Sequence, residues 1–247
     1  MTSPDSLTKA PDVEAASDEY AGRFSGAVGE WFLSVQEAAT LQMLAPYPEA
    51  GVLDVGGGHG QTAVPLIENG YDLTILGSSE ACKTQVRNLV EDGKCRFDVG
   101  DVIELPYPDD CFDVVISYRM VPHIREWERF LAELSRVSRK AVVIDYPDTR
   151  SFNYFKKYFF YLKKSIEEGT RRYKCFKMST LLSRLEELGM SYSDHYRQFF
   201  WPMFLHRGMG SVRLSMLAEK ACREIGLTSL WGAPVILKVV HSEPEGR

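Results

Sequence analysis

One stretch of the chain sets the fold: residues 52–60 read Val-Leu-Asp-Val-Gly-Gly-Gly-His-Gly. A short apolar segment with one acid, Asp54, runs straight into a glycine-rich turn. Glycines permit positive φ and remove the side chains that would keep a ligand away from the backbone. Amides at the start of a following helix offer donors to an electron-rich group. The stretch therefore predicts a ligand-binding turn whose floor is Gly56, Gly58 and Gly60.

The spacing of these glycines distinguishes two kinds of ligand. Dinucleotide-binding proteins place a G-x-G-x-x-G turn at the same point of their topology, whereas residues 56–60 are spaced G-x-G-x-G. The carboxylate of Asp54 suits a ligand with an ammonium and a sulfonium better than one with a pyrophosphate. The alternatives are a turn without a ligand and an Asp54 that only caps backbone amides. The spacing and the acid together favour a ligand other than NAD.

Seven segments have the apolar character of strands, and most are separated by helical segments. The predicted strands begin near Val52, Asp72, Cys95, Phe112, Ala141, Tyr192 and Val235. Strands that alternate with helices imply parallel βαβ units and a sheet covered on both faces. The sequence therefore predicts an α/β fold, a doubly wound, seven-stranded, mostly parallel sheet with helices on both faces.

Apolar residues repeat at helical spacing in the segments around these strands. Helices are predicted from Gly29 to just before Pro46, after Gly60, from about Glu80, across Trp127–Val137 and over Thr180–Leu188. In the last of these helices Ser179 is the predicted N-cap and Gly189 the predicted stop.

The domain organisation predicted from these patterns is simple. Residues 1–19 show no helical or strand period and are predicted to be a disordered N-terminal arm. Residues 20–247 form a single domain, in which residues 147–177 and 201–232 are predicted to be two inserted cap segments. The first insertion is rich in Phe and Tyr among Lys and Arg, and it is predicted to dock on the core and wall a binding pocket. The aromatic run at 199–204 closes the same pocket or forms a dimer contact.

With these features the sequence resembles the class I S-adenosylmethionine-dependent methyltransferases, in particular their small-molecule branch of methyltransferase type 11 and ubiquinone-biosynthesis enzymes. The family's first motif, apolar-Asp/Glu-apolar-Gly-x-Gly-x-Gly, is matched by Leu53–Gly60. Residues 99–118, VGDVIELPYPDDCFDVVISY, resemble the stretch around the family's third and fourth strands. The resemblance covers roughly Tyr20–Gly189. It implies a Rossmann-like fold, S-adenosyl-L-methionine as the cofactor and S-adenosyl-L-homocysteine as its product.

The resemblance also implies which residues bind the cofactor. Asp101 accepts a hydrogen bond from the adenine amino group, and the Val102 amide faces the ring. Tyr20, Arg23 and Phe24 lie in a segment that folds over the cofactor in similar enzymes. The complete set of cofactor-binding residues implied is Tyr20, Phe24, Asp54, Gly56, Gly58, Gly60, Gly77, Ser78, Asp101, Val102 and Ser117.

The end of the second strand departs from the family pattern. An acid that binds the ribose hydroxyls usually stands there, whereas this sequence has Leu76 and Gly77. Ser78, Ser79 and Glu80 are the substitutes that the sequence offers. Hydroxyl groups bind a ribose less strongly than a carboxylate does, because charge-assisted hydrogen bonds are the stronger kind.

Four residues at strand ends are candidates for the acceptor site, since open α/β sheets bind ligands at the carboxyl ends of their strands. His123 is the candidate catalytic base, because a histidine can take a proton at neutral pH. Tyr118, Arg119 and Asp145 are candidate substrate-binding residues. Each has a structural alternative: a histidine that caps the next helix, surface side chains, and an acid that forms the turn before Tyr-Pro.

Composition narrows the partners. The formal net charge of -5 argues against DNA and makes RNA an unfavoured partner. The five cysteines are scattered without a CxxC pair, which predicts reduced thiols and no metal site. No stretch approaches twenty apolar residues and the N-terminus lacks an apolar signal, so a cytoplasmic protein without a transmembrane segment is predicted. A homodimer is compatible with the aromatic segments.

Direct in-line transfer of a methyl group to a small or medium-sized acceptor, aromatic or apolar in character, is the predicted reaction. Alignment of the two reactants supplies much of the rate in such a transfer, so no strong acid or base is required. Two alternatives stay open at this point: a non-catalytic S-adenosylmethionine-binding or regulatory protein, and an NAD(P)-dependent oxidoreductase. An RNA methyltransferase is a third alternative within the same chemistry.

Overall fold

A computed structural model describes residues 12–15, 22, 24–151 and 173–242 of the chain. Seven strands form one sheet: β1 (Gly51–Val55), β2 (Asp72–Gly77), β3 (Arg96–Val99), β4 (Phe112–Ser117), β5 (Ser138–Tyr146), β6 (Met190–Phe199) and β7 (Ala233–His241). Their order across the sheet is β3-β2-β1-β4-β5-β7-β6. The first five strands pair in parallel, whereas β7 is antiparallel to both neighbours. The predicted doubly wound, mostly parallel α/β sheet is confirmed.

Helices cover both faces of this sheet. In chain order they are α1 (Asp12–Ala15), α2 (Gly26–Leu44), α3 (Ala63–Glu68), α4 (Arg87–Glu91), α5 (Trp127–Val137), α6 (Met178–Glu187), α7 (Met203–Met209), α8 (Val212–Glu224) and α9 (Leu227–Trp231). Two 3-10 segments, Gly57–His59 and Glu80–Val86, lie between strands and helices. None of the described helices is long and apolar enough to cross a membrane.

Side chains along the central strands alternate between the two faces of the sheet, and this divides the core into two layers. In β1, Leu53 and Val55 face a cluster that includes α5 and α6, whereas Val52 faces a second cluster with α2 and α3. Successive strand residues point to opposite faces, so a buried parallel strand must be apolar on both sides. The nearly continuous apolar run of β5 meets this condition, and Val142 and Val143 are fully buried on opposite faces. The sheet is therefore a rigid frame for whatever lies at its edges.

The start of α6 differs from the prediction. The helix begins at Met178, with Lys177 as its N-cap and no side-chain hydrogen bond at that cap. The amide of Thr180 donates to the Lys177 carbonyl oxygen, 3.0 Å away, so Ser179 lies inside the first turn. Its predicted role as N-cap is wrong, because the backbone enters the helix two residues earlier. Gly189, with φ +78°, follows the helix as predicted.

The second predicted insertion contains α7, α8 and α9, and α8 presents an unexpected face to the core. Leu214, Leu217 and Ile225, which mark its helical spacing, are more than half exposed. Glu219 instead faces inward and is 5% exposed. Its carboxylate accepts hydrogen bonds from two backbone amides of the preceding bend, at 2.9 and 2.8 Å, and lies 3.0 Å from the ring of His206. The hydrogen bonds of Glu219 therefore determine which face of α8 packs on the core.

Two predicted segments fall partly outside the described residues. Most of the first insertion is among them, and so is most of the arm 1–19. Within that arm, Asp12–Ala15 forms a single helical turn whose Asp12 is 1% exposed. Asp12 accepts hydrogen bonds from Ser78 at the end of β2. The disorder of the arm stays a prediction. The aromatic run at 199–204 begins in the core, where the ring of Phe199 stacks on Phe32 with 3.9 Å between centroids.

Candidate functional site

The glycine turn lies where the strand order of the sheet reverses, between β1 and β4. Ligands of open α/β sheets bind in the crevice at this point, outside the carboxyl ends of the strands. Gly56 and Gly60 have φ of +80° and +70°, a conformation that side chains other than glycine rarely adopt. The Gly56 amide donates to the Leu76 carbonyl oxygen at 2.8 Å, which ties the turn to β2. The turn is thus fixed by the neighbouring strand.

Asp54 lies beneath this turn and is fully buried. Its Oδ2 accepts from the Thr62 hydroxyl at 2.5 Å, while its Oδ1 is buried without a hydrogen-bond partner among the described residues. Burial raises the pKa of Asp54 to about 6, although the Thr62 hydrogen bond and the charge of Arg119 act in the opposite direction. A buried acceptor without a donor is costly. It fits a ligand that brings a donor such as an ammonium.

Gly57, the variable position of the motif, is also required to be small. A Cβ at this position would overlap the Asp54 carboxylate. The motif accepts any residue at this position, so the sequence pattern alone does not indicate a role for Gly57. The carboxylate two residues before Gly56 was the available signal, because its side chain has to lie under the turn.

A second close approach joins the turn to the segment after β2. A Cβ at Gly58 would overlap the carbonyl oxygen of Cys82, and one at Gly77 would lie 2.7 Å from the Cys82 Cβ and 2.8 Å from Phe97. Distances below 3.0 Å require the neighbours to move. Gly77 therefore leaves no room for a side chain at the point where the family resemblance implies an acid.

The carboxylate of Asp12 lies at this same point. Its Oδ2 accepts from the Ser78 amide at 2.6 Å and from the Cys82 thiol at 3.3 Å. Its Oδ1 accepts from the Ser78 hydroxyl at 2.7 Å. Burial, followed by the charge of Asp12, raises the pKa of the Cys82 thiol, which keeps the thiol protonated as a donor. Asp12 is not predicted from the sequence, since nothing in its local pattern points to a distant strand end.

Arg119 lies on the other side of the candidate site from Asp12, at the carboxyl end of β4. It has φ +62°, and its amide donates to Asp145 Oδ1 at 2.5 Å. Its guanidinium lies 2.9 Å from His59 Nε2 and 5.2 Å from the centre of the Phe24 ring. Positive φ in a residue other than glycine or asparagine is uncommon and costs of order 1–3 kcal/mol. The structure therefore brings Phe24, Arg119 and Asp145 together, and adds His59, which the sequence analysis had not singled out.

Burial shifts the pKa values of two residues that contact Arg119. Burial, and next the charge of Arg119, hold the pKa of His59 well below its usual range, so the imidazole is neutral and accepts from the guanidinium. Burial raises the pKa of Asp145 to about 6, against the lowering effects of the Arg119 amide and charge. The Asp145 carboxylate fixes the unusual backbone of Arg119, which is a structural role beside the predicted contact with substrate.

The remaining predicted cofactor residues lie along the same edge of the sheet. Asp101 is exposed, and its Oδ1 accepts from the Ile103 amide at 3.0 Å. Val102 is fully buried in the core. The Ser117 hydroxyl donates to the Val55 carbonyl oxygen at 2.8 Å, which joins β4 to β1. Tyr20 lies outside the described residues. Contacts of these residues with a cofactor stay predictions.

Two candidates for the acceptor site differ in accessibility. Tyr118 is 1% exposed, and its hydroxyl lies 2.6 Å from the Thr40 hydroxyl in the core layer below α2. This placement favours a packing role for Tyr118. His123 is partly exposed in the loop after β4, and its ring lies 6.4 Å from that of Tyr173. Within the described ranges no group of three or more His, Cys, Asp or Glu side chains is arranged to hold a metal ion.

Comparisons with known proteins bear on the same segment. Residues 53–144 match the family described as "Methyltransferase domain". Ajmaline N-methyltransferase of Rauvolfia serpentina is 35% identical over 99 residues, which are 38% of this chain and 34% of that protein. Demethylmenaquinone methyltransferase of Deinococcus radiodurans is 31% identical over 125 residues, 47% of this chain and 51% of that protein. The chain thus spans about a third to a half of the length of these relatives.

Solved structures extend the likeness over most of the chain. The magnesium protoporphyrin IX methyltransferase of Synechocystis, with bound S-adenosylhomocysteine, superposes with a TM-score of 0.65 at 16% identity and covers 91% of this chain and 94% of its own. The [4+2]-cyclase SpnF superposes with a TM-score of 0.60 at 19% identity, over 85% of this chain and 80% of its own. At these identities the superpositions show a shared fold. One fold can host more than one reaction.

Proposed function

We propose that this chain, which carries a class I S-adenosylmethionine-dependent methyltransferase domain, transfers a methyl group to a small or medium-sized acceptor of aromatic or apolar character. The observation that carries the proposal is the buried Asp54 Oδ1 that has no partner among the described residues, beneath a glycine turn at the switch point of the sheet. This arrangement lies within the segment that matches the methyltransferase family.

The residues present fit the cofactor. When bound, S-adenosylmethionine supplies an electrophilic methyl group on a sulfonium. In our proposal the turn from Gly56 to Gly60 lets the cofactor approach the backbone, and Asp54 Oδ1 accepts a hydrogen bond from its ammonium. Asp101 accepts from the adenine amino group beside Val102. The conformation of Gly56 and Gly60 and the unpaired oxygen of Asp54 support these assignments.

The chain's contribution to the reaction is alignment. Holding a nucleophile at near-attack distance supplies about 7–11 kcal/mol of the barrier in well-oriented reactions. We propose that Arg119 and Asp145 orient the acceptor and that His123 takes its proton when the nucleophile is acidic. The position of these residues after β4 and β5 supports the proposal, since this is the ligand side of the sheet. Tyr118 is 1% exposed and contacts Thr40, and its contact with the acceptor stays a prediction.

Binding of S-adenosylhomocysteine tests the proposed function directly. At a concentration 100 times its Kd, a ligand stabilises the folded protein by about 2.7 kcal/mol, which raises Tm by roughly 5–10 °C in a domain of this size. We expect this shift with S-adenosylhomocysteine and none with NADH. Asp101→Ala should weaken binding in calorimetry, whereas Asp92→Ala, an exposed acid after α4, should not.

The possible outcomes separate the alternatives. Stabilisation by NADH alone would identify an oxidoreductase and contradict the proposal. Saturable binding without production of S-adenosylhomocysteine from S-adenosylmethionine, across phenol, amine and carbon acceptors, would indicate a non-catalytic binding protein. Production that depends on one acceptor class would identify the substrate. The cytoplasmic location, the homodimer and the exclusion of nucleic acid stay predictions.

A further inference from the structure

The end of β2 lacks the acid that a ribose would need, and an acid from elsewhere in the chain lies there. Asp12, sixty-six residues before Ser78 in sequence, places its carboxylate on the Ser78 amide and hydroxyl at 2.6 and 2.7 Å. The carboxylate is buried, with Asp12 1% exposed. We propose that Asp12 is the residue that binds the ribose hydroxyls of the cofactor, in place of an acid at the end of β2. This inference rests on the proposed function.

The usual position for that acid is sterically closed in this chain. Gly77 ends β2, and a Cβ there would lie 2.7 Å from Cys82 and 2.8 Å from Phe97. Both neighbours belong to packed elements, so a carboxylate side chain does not fit without displacing them. An acid that serves this point must reach it from another segment. Asp12 does so from α1, which packs against the glycine turn.

The two serines after β2 are already engaged. The Ser78 hydroxyl donates to Asp12, and the Ser79 hydroxyl lies 3.8 Å from the Cys82 thiol. Glu80 is exposed at the start of the 3-10 segment. Ser78 is thus the anchor that holds the carboxylate of Asp12 in place.

The carboxylate of Asp12 has room for one more donor. An ionised carboxylate offers about four lone-pair sites. Three are used by the Ser78 amide, the Ser78 hydroxyl and the Cys82 thiol, two of them on Oδ2 and one on Oδ1. No salt bridge of Asp12 is found among the described residues. The remaining site on Oδ1 matches the chemistry of a ribose hydroxyl, which is a donor without charge. Because Asp12 is 1% exposed, a ribose reaches this oxygen only when α1 shifts away from the glycine turn.

The test compares two ligands by calorimetry: S-adenosylhomocysteine and its 2′,3′-dideoxy analogue, which lacks both ribose hydroxyls. We expect Asp12→Ala to raise the Kd of S-adenosylhomocysteine by about 10- to 100-fold, the range that corresponds to the loss of a hydrogen bond to a charged group. The same substitution should leave the Kd of the dideoxy analogue nearly unchanged. Asp12→Asn, which keeps the size of the side chain, should also raise the Kd of S-adenosylhomocysteine.

Two control variants isolate the effect. Glu80→Gln removes the rival acid beside the strand end, and Glu68→Gln removes an exposed charge at the end of α3. Both should leave the affinities for the two ligands unchanged. Thermal melts of each variant report whether the fold is kept.

Five results would overturn the inference. Equal losses for both ligands would assign Asp12 a structural role, tighter binding by Asp12→Ala would mean that α1 obstructs the site, and a loss in Glu80→Gln alone would assign the ribose to Glu80. If the unmodified protein binds S-adenosylhomocysteine and Asp12→Ala binds it equally well, the inference fails while the proposed function stands. Absence of binding by the unmodified protein would overturn both.

Discussion

Gly58 is the residue at which the smallest change should have the largest effect on the site. Its φ is ordinary, but a Cβ would overlap the backbone carbonyl of Cys82, which cannot swing aside as a side chain can. We expect Gly58→Ala to lower the free energy of unfolding by about 1–3 kcal/mol, the cost of overpacking. The substitution should also weaken the binding of S-adenosylhomocysteine, because Cys82 would be displaced. Urea unfolding and calorimetry measure the two effects.

Gly208 is the matched control for Gly58. It lies in α7, and a Cβ there meets nothing within 4 Å. Gly208→Ala should therefore stabilise the protein by up to about 1 kcal/mol, as alanine does in a helix. Equal changes in the two variants would mean that the close approach of Cys82 to the glycine turn does not determine stability.

The pKa of Asp54, raised by burial to about 6, makes stability depend on pH. Between about pH 4 and pH 6 the folded chain holds a proton that the unfolded chain has released, so stability falls as pH rises, with a slope of up to about 1.4 kcal/mol per pH unit for this group. Asp54→Asn removes the ionisation. The stability of this variant relative to the unmodified protein should therefore rise across that window, measured by urea unfolding at each pH.

Asp145 serves as the internal reference for this measurement. Its pKa is also raised to about 6 by burial, and it is present in both proteins, so its contribution cancels in the difference. A difference that does not vary with pH would show that Asp54 titrates near its ordinary value. For ligand binding we expect the reverse dependence, since the ammonium of S-adenosylhomocysteine favours the ionised Asp54.

At the scale of elements, α8 is held by Glu219 more than by its apolar residues. The Glu219 carboxylate accepts from the amides of Phe200 and Trp201 and contacts His206. Glu219→Ala removes these hydrogen bonds and the contact with the fully buried His206, and it should cost about 3 kcal/mol or more. Glu224→Ala, on the same helix in an exposed pair with Lys220 at 3.8 Å, should change stability by less than about 0.5 kcal/mol.

Equilibrium unfolding followed by tryptophan fluorescence checks this prediction, because Trp201 is adjacent to the Glu219 contacts. If Glu219→Ala and Glu224→Ala behave alike, the apolar contacts of α8 are sufficient to hold it.

The same helix shows why some elements were predicted better than others. The strands and α5 followed directly from hydrophobic periodicity, since most of their buried positions are apolar. Periodicity also located α8, but it could not tell that Glu219 faces inward and Leu217 outward, because that orientation depends on amides far from the helix in sequence. The start of α6 was missed by two residues, because both serine and lysine satisfy the geometry of an N-cap without a side-chain bond.

The residues of the candidate site also differ in how well the sequence predicted them. The glycine turn and Asp54 were predicted because these residues lie within one continuous stretch of sequence. Asp12 and His59 were not predicted, since their partners, Ser78 and Arg119, are brought to them only by the folded sheet. Contacts between residues distant in sequence leave no periodic signal.

At the scale of the whole molecule, net charge predicts which partners are excluded. With a formal net charge of -5, the chain should show no RNA binding that weakens between about 50 and 200 mM salt, the range in which phosphate contacts lose most of their affinity. Fluorescence anisotropy with a labelled single-stranded RNA tests this expectation. Salt-sensitive binding would assign the basic, aromatic first insertion, residues 147–177, a role in RNA recognition.

The antiparallel strand β7 has a consequence for synthesis on the ribosome. It lies between β5 and β6 in the sheet, yet about thirty residues separate the end of β6 at Phe199 from its start at Ala233. At translation rates of roughly 5–20 residues per second, a nascent chain spends roughly 2–7 s with two strand edges open to any extended peptide nearby. A truncation that ends at Gly232 makes this exposure permanent. Chaperone demand during expression should therefore be greatest in that interval.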